Sequence, residues 1–181
     1  MNSIKQYGRG MWMMEERMKE KALHYFADKF LCSQAVLAAY AEKCGITEEQ
    51  ALKIGSCFGT GMRKGEVCGA CSGALMVLGL LYGQSHKEDP EGRQRSNIVN
   101  DKMMDRFKSI NGSYICNKLL GCDVSTPEGA QYAKENGLFT DFCPKMVASA
   151  VDILEGIIRE CESSANEIST DGSCDMLEAA R

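Results

Sequence analysis

The chemistry open to this chain is sulfur chemistry. Among its 181 residues are ten cysteines but only two histidines, His24 and His86, so a metal site built here would draw mainly on thiolates. The thiolate is the form in which cysteine binds metals and attacks disulfides. The opening stretch, MNSIKQYGRGMWMMEERMKEK, has neither the uninterrupted apolar run nor the small-residue cleavage site of an export signal, so a cytoplasmic protein is expected. In a reducing compartment thiols rarely form structural disulfides, and a high cysteine count points to metal binding or redox turnover. No Ser/His/Asp set or paired-carboxylate motif stands out, which leaves hydrolysis without support.

The densest stretch is EVCGACSGALMVLG, from Glu66 to Gly79. Cys68 and Cys71 form a Cys-x-x-Cys pair in which the first sulfur could attack a disulfide and the second resolve it. A thioredoxin-type dithiol needs a neighbouring βαβ unit, and no such pattern flanks this pair. A four-thiolate zinc site could join the pair to Cys116 and Cys122, but structural zinc sites present two tight pairs and this second pair is widely spaced. Free cysteine is also often no more than a small buried hydrophobe. Upstream, Gly59-x-Gly61 lacks the preceding strand of a dinucleotide fingerprint, and no Walker lysine followed by Ser or Thr occurs, so nucleotide binding is disfavoured.

Placing these sulfurs falls to helices. Met11–Phe30 is rich in helix formers, with Met14, Met18, Tyr25 and Phe26 for an apolar face. SQAVLAAYAEKCG opens on Ser33 as an N-cap and closes on Gly45, which puts Cys32 just before a helix and Cys44 near its end. Thr47-Glu48-Glu49-Gln50 is a capping box that starts a short helix reaching Gly55. A glycine-rich loop, GSCFGTGMRKGEVCG, holds Cys57 and leads into a buried helix over Cys68–Gly83. There Gly69 and Gly73 share one face and permit close approach of another backbone, from this chain or a second copy in a homo-oligomer. After the charged loop QSHKEDPEGR, Gln94–Ile110 carries Ile98, Val99, Met103, Phe107 and Ile110 at near-helical spacing.

A short helix starts near Ser113, with Cys116 in its first turn and Cys122 past its end. Thr126, Pro127 and Gly137 mark the next helix as N-cap, N1 and C′. A last long helix runs from Pro144, with Cys143 at its N-cap, to about Glu160. No stretch alternates as a strand does, so the expected fold is all-α, a compact multi-helix bundle made by residues 1–160. Residues 161–181 read as a polar, acidic and loose tail, with Cys161 and Cys174 peripheral.

Cys32, Cys68, Cys116 and Cys143 thus all map to helix starts. A helix N-terminus carries unpaired N–H groups and partial positive charge, which favour a thiolate there. Four converging helix starts would gather a thiolate cluster that needs cations or oxidation to relieve its repulsion.

The ordered set of Cys32 before SQAVL, Cys68-Gly69-Ala70-x-x-Gly73, Cys116 before KLLG, and Cys143 resembles the C_GCAxxG_C_C family, over about Phe30 to Ile158. The resemblance implies a compact helical module that works with electron-transfer and oxidoreductase systems and holds an iron–sulfur centre or a redox thiol set on those four cysteines. Cys71 fills the first variable position of the motif and Cys122 adds a sulfur nearby, so both are possible additional ligands.

The net charge of −4 comes without any basic block, so nucleic acid is not an expected partner. The longest apolar stretch, Ala74 to Tyr82, is about half of the ~20 residues a membrane-spanning helix needs. The leading expectation is a redox or electron-transfer protein that binds an iron–sulfur cluster, most simply [2Fe–2S], through Cys32, Cys68, Cys116 and Cys143 and exchanges electrons with a partner protein or oxidoreductase. Two alternatives stay open: a metal-free thiol oxidoreductase using Cys68 and Cys71, and a zinc-binding structural module.

Overall fold

The computed structural model describes residues 16–170 of the chain, with side chains described as far as residue 164. Helix α1 covers residues 16–27. Seven more follow: α2 (Cys32–Ala39), α3 (Glu48–Gly55), α4 (Gly69–Tyr82), α5 (Pro90–Asn111), α6 (Cys116–Leu120), α7 (Pro127–Glu135) and α8 (Cys143–Thr170). Two wide turns, Gly61–Gly65 and Leu138–Phe142, stand ahead of α4 and α8. No strand forms among the described residues, as the sequence leads one to expect. None of the described helices is long and apolar enough to cross a membrane.

The core lies where α2, α4, α5 and α8 pack on one another. Helix α8 supplies Val147, Ala150, Val151, Leu154, Ile157 and Ile158, all buried at helical spacing. Helix α5 supplies Val99, Met103 and Phe107, one residue per turn. Each such fully buried aliphatic or aromatic side chain contributes roughly 1.5–3 kcal/mol. Of the stripe expected on α5, Ile98 and Ile110 instead face solvent, because the three buried residues already define a single seam. Helix α4 buries its small residues, Gly69 to Ala74, together with Val77 and Leu78, whereas Leu80 is exposed. The small residues let α2 come close: a methyl group on Gly73 would lie 2.8 Å from the Ser33 carbonyl oxygen and 3.0 Å from Val36 Cβ.

Several helix ends obey the capping chemistry read from the sequence. Thr47 and Gln50 complete their box, with the Gln50 N–H donating to Thr47 Oγ1 at 3.1 Å and the Thr47 N–H to Gln50 Oε1 at 2.9 Å. Thr126 accepts from the Gly129 N–H, Pro127 is at N1, and Gly137 takes the left-handed conformation beyond the helix end.

Others depart from expectation for identifiable reasons. The expected start of the first helix, Met11 to Glu15 with Met14, lies outside the described residues. The helix stops at residue 27, where Lys29 turns left-handed (φ 73°) and the Phe30 N–H reaches back to the Tyr25 carbonyl. Ser33 is not an N-cap. Its hydroxyl is spent on the Gly55 carbonyl at 2.7 Å, so Leu31 occupies the cap and Cys32 is already the first helical residue. Helix α5 begins at Pro90 instead of Gln94, because Asp89 accepts from the Gly92 N–H at 2.7 Å and proline suits the first turn. Helix α8 runs on to Thr170, past the expected end near Glu160, since no glycine or proline interrupts those residues. Cys161 therefore sits on a helix, half-buried against the core, while Cys174 lies outside the described residues.

A polar clamp joins α5 to α8. Glu160 takes Arg106 through both carboxylate oxygens, at 2.7 and 3.0 Å, and Lys102 at 2.9 Å. These donors hold the Glu160 carboxyl well below its usual range, at about 2. A carboxyl depressed by folding adds stability that is present above its unfolded value and lost as pH falls through the folded one. The melting temperature of Glu160→Gln should therefore lie below that of the parent at pH 6, and the gap should close as pH falls from about 4.5 towards 2. A gap constant over that range would remove the clamp as its cause.

Candidate functional site

Cys32, Cys68, Cys116 and Cys143 line one cavity of about 620 Å³. They arrive from four separate elements. Cys32 is the first residue of α2, Cys68 caps α4, Cys116 opens α6 and Cys143 opens α8. Each is the first residue of its helix or the residue just before it, although α6 begins at Cys116 and not near Ser113, and α2 begins two residues before a Ser33 cap would set it.

What sets Cys68 beside Cys116 has no local signal in the sequence. A single antiparallel bridge pairs Val67 with Ile115. Within it the Cys68 N–H donates to the Tyr114 carbonyl at 2.8 Å and the Cys116 N–H to the Glu66 carbonyl at 2.6 Å. Just upstream, four consecutive residues, Thr60, Gly61, Met62 and Arg63, adopt left-handed φ values of 54–59°. Three of them are not glycine, at a cost of roughly 1–2 kcal/mol each. The strained turn is held by the Glu66 N–H, which donates to the Gly61 carbonyl at 3.1 Å, and it places Gly65 directly against the Asn117 amide of α6. Asn117 Oδ1 in turn accepts from the Val124 N–H at 2.9 Å, so turn, α6 and the following loop are locked together.

Cys32 is the most enclosed of the four by backbone. The N–H groups of Thr60, Ser33, Cys32 and Ala70 lie against its sulfur and favour the anion. The same sulfur fills the place where a Cβ on residue 69 would project, so glycine is required there. Cys32 and Cys143 are half-buried, while Cys68 and Cys116 are buried.

Helix-start position favours the anion at these sulfurs, but burial outweighs it in the absence of a cation. Burial pushes Cys32 up despite its N–H groups, and pushes Cys68 well up, with Cys32 and Cys116 adding repulsion. Burial, followed by the neighbouring Cys32, drives Cys116 and Cys143 to about 12. The Cys143 N–H is also already paired with the Leu138 carbonyl through the turn that precedes α8, so this helix start offers less than an open one. Without a cation the four are neutral thiols at neutral pH. Iodoacetamide at pH 7 should accordingly mark the exposed Cys57 well before any of the four in metal-free protein, as read by peptide mass spectrometry. Equal labelling would contradict the burial.

The remaining cysteines stand apart from this cavity. Cys71 is buried on α4, its thiol donating to the Met104 sulfur of α5 at 3.7 Å, and burial raises it to about 12. It does not line the cavity, and neither does Cys122. Cys122 lies near enough to Cys116 to raise it further, and packs with Leu120 and Val124 in a small satellite cluster. Among the described residues, no three His, Cys, Asp or Glu side chains converge closely enough to clasp a single metal ion. The cavity's apolar lining, chiefly Phe26, Phe30, Leu31 and Phe139, has no local signature in the sequence, where Phe26 reads only as part of a helix's apolar face.

Fold and site together define an all-α module built around four cysteines from separate helices. The chain belongs to the C_GCAxxG_C_C family, whose description is "Putative redox-active protein" and whose model matches residues 30–157. The matched span takes in all four cavity cysteines and ends within α8. Neither the curated proteins nor the solved structures compared with the chain include a match.

Proposed function

We propose that the protein is an electron-transfer module in which Cys32, Cys68, Cys116 and Cys143 hold an iron–sulfur cluster, most simply [2Fe–2S]. The observation that carries this reading is the gathering of four thiols from four distant segments around one cavity, with Cys32 close enough to raise the proton affinity of the other three. Four thiolates suffice for one cluster, and their spread around a cavity suits a group of several atoms better than a lone ion. Such a cluster supplies one-electron chemistry when bound. The chain's own part is to fix the four sulfurs on helix starts and to surround Cys32 with N–H groups. The half-buried apolar walls limit water at the sulfurs. All four thiols must lose their protons to act as ligands, so retention should weaken as pH falls. A redox protein or oxidoreductase is the partner that this reading calls for.

The two alternatives have less behind them. Thiol exchange by Cys68 and Cys71 requires the second sulfur to reach the first, but the Cys71 thiol is engaged with Met104. A zinc site needs ligands converging on one point. The test is anaerobic purification followed by a visible spectrum and measurement of iron, sulfide and zinc. A coloured protein with about two irons and two sulfides per chain is the expected result. A colourless, iron-free protein after anaerobic reconstitution would overturn the proposal.

A further inference from the structure

The cavity is larger than its sulfurs account for. At about 620 Å³ it falls among small-molecule pockets, which run to roughly 300–1,000 Å³. Its sulfurs share the lining with three phenyl groups, Phe26, Phe30 and Phe139, and with Leu31. All four of these apolar residues are half-buried, so they keep surface open to a ligand.

Two polar lining residues carry a second, independent observation. Lys29 and Thr60 both line the cavity and both adopt left-handed backbone, with φ of 73° and 54°. Glycine is the ordinary occupant of such positions, and a side chain held there at conformational cost is a mark of functional sites. Lys29 lies two residues past the end of α1, where the chain reverses so that Lys29, Phe30, Leu31 and Cys32 all line the cavity in succession. It is the only charged side chain among the described lining residues.

We propose that this cavity binds a planar, mostly apolar aromatic molecule with a carbonyl or anionic oxygen, of the quinone class, stacked among Phe26, Phe30 and Phe139 with its oxygen met by Lys29 and Thr60. The redox use of such a ligand rests on the electron-transfer reading above, whereas its binding does not. The phenyl groups offer π surfaces to a flat ring, and the ammonium group favours an anionic or carbonyl oxygen over a purely hydrocarbon guest.

Calorimetric titration of the anaerobically purified protein tests this, using anthraquinone-2-sulfonate and uncharged 2,3-dimethyl-1,4-naphthoquinone, neither of which has a free quinone-ring position for thiol addition. Wild type is expected to bind both saturably, one per chain. Lys29→Gly should weaken the sulfonate about tenfold and the uncharged quinone less. Its melting temperature should hold or rise, because glycine relieves the left-handed strain. A purely structural lysine would leave binding unmoved. Phe139→Ala should weaken both probes. Absence of saturable binding to wild type, or wild-type affinity in both variants, would overturn the proposal. Iron and sulfide measured on the same samples separate the two readings. Iron-free protein that still binds quinone loses the cluster alone, and iron-loaded protein that binds neither probe loses the quinone site alone.

Discussion

Changing any one of Cys32, Cys68, Cys116 or Cys143 to serine is expected to lower bound iron at least ~10-fold in anaerobically reconstituted protein, since even supporting residues around metal ligands cost 10–100-fold when changed. Cys71→Ala and Cys57→Ser should keep the iron and the visible spectrum of the parent. The contrast follows from where the sulfurs point. The first four line one cavity, Cys71 is turned into the core against Met104, and Cys57 is exposed. Alanine is the better replacement at position 71, because a serine hydroxyl would be buried beside a thioether, a weak acceptor. Stability should respond differently from iron content. Cys71→Ala removes a fully buried side chain and should lower the melting temperature while iron stays bound. Full iron content in Cys143→Ser, at one of the two half-buried members, would remove that residue from the ligand set.

Sequence-local signals located the sulfurs better than they described their chemistry. Local signals put the starts of α4 and α8 within one residue, because an N-cap or a proline at N1 acts over three or four positions and needs no tertiary partner, whereas α2 begins two residues before a Ser33 cap would set it and α6 begins at Cys116 and not near Ser113. The Asp89–Pro90 start of α5 was equally readable and lay hidden only within a charge-rich stretch. The Val67–Ile115 bridge was not readable, since it joins segments almost fifty residues apart through backbone groups that any residue carries. The left-handed Thr60, Met62 and Arg63 were hidden for the opposite reason: none is glycine, so nothing in their identity announces the turn. The sign of the thiol shifts also depended on burial. Local N–H groups favour the anion at Cys32 and Cys68, but desolvation exceeds them, and burial is a property of the packed molecule.

Gly69→Ala and Gly73→Ala should separate the site from the scaffold that carries it. A methyl at position 73 would lie 2.8 Å from the Ser33 carbonyl oxygen and 3.2 Å from Ser33 Cα, so α2 and α4 must part at their closest approach. Overpacking of this kind costs about 1–3 kcal/mol. For a chain of this length that is a fall of roughly 2–12 °C in melting temperature. The better helix propensity of alanine returns only about 0.5–1 kcal/mol of it. A methyl at position 69 meets a different obstacle, the Cys32 sulfur itself, with the Phe58 carbonyl oxygen 3.0 Å away on another side. The sulfur is the softer neighbour, so Cys32 should turn away and leave the N–H groups of Thr60 and Ala70 behind. Bound iron is then expected to fall about tenfold in Gly69→Ala, the range for loss of groups that orient a metal ligand. Its melting temperature should fall no further than that of Gly73→Ala. A Gly69→Ala protein with full iron content would show that the Cys32 sulfur does not need its place beneath the first turn of α4, and the ligand set would then have to be drawn without it.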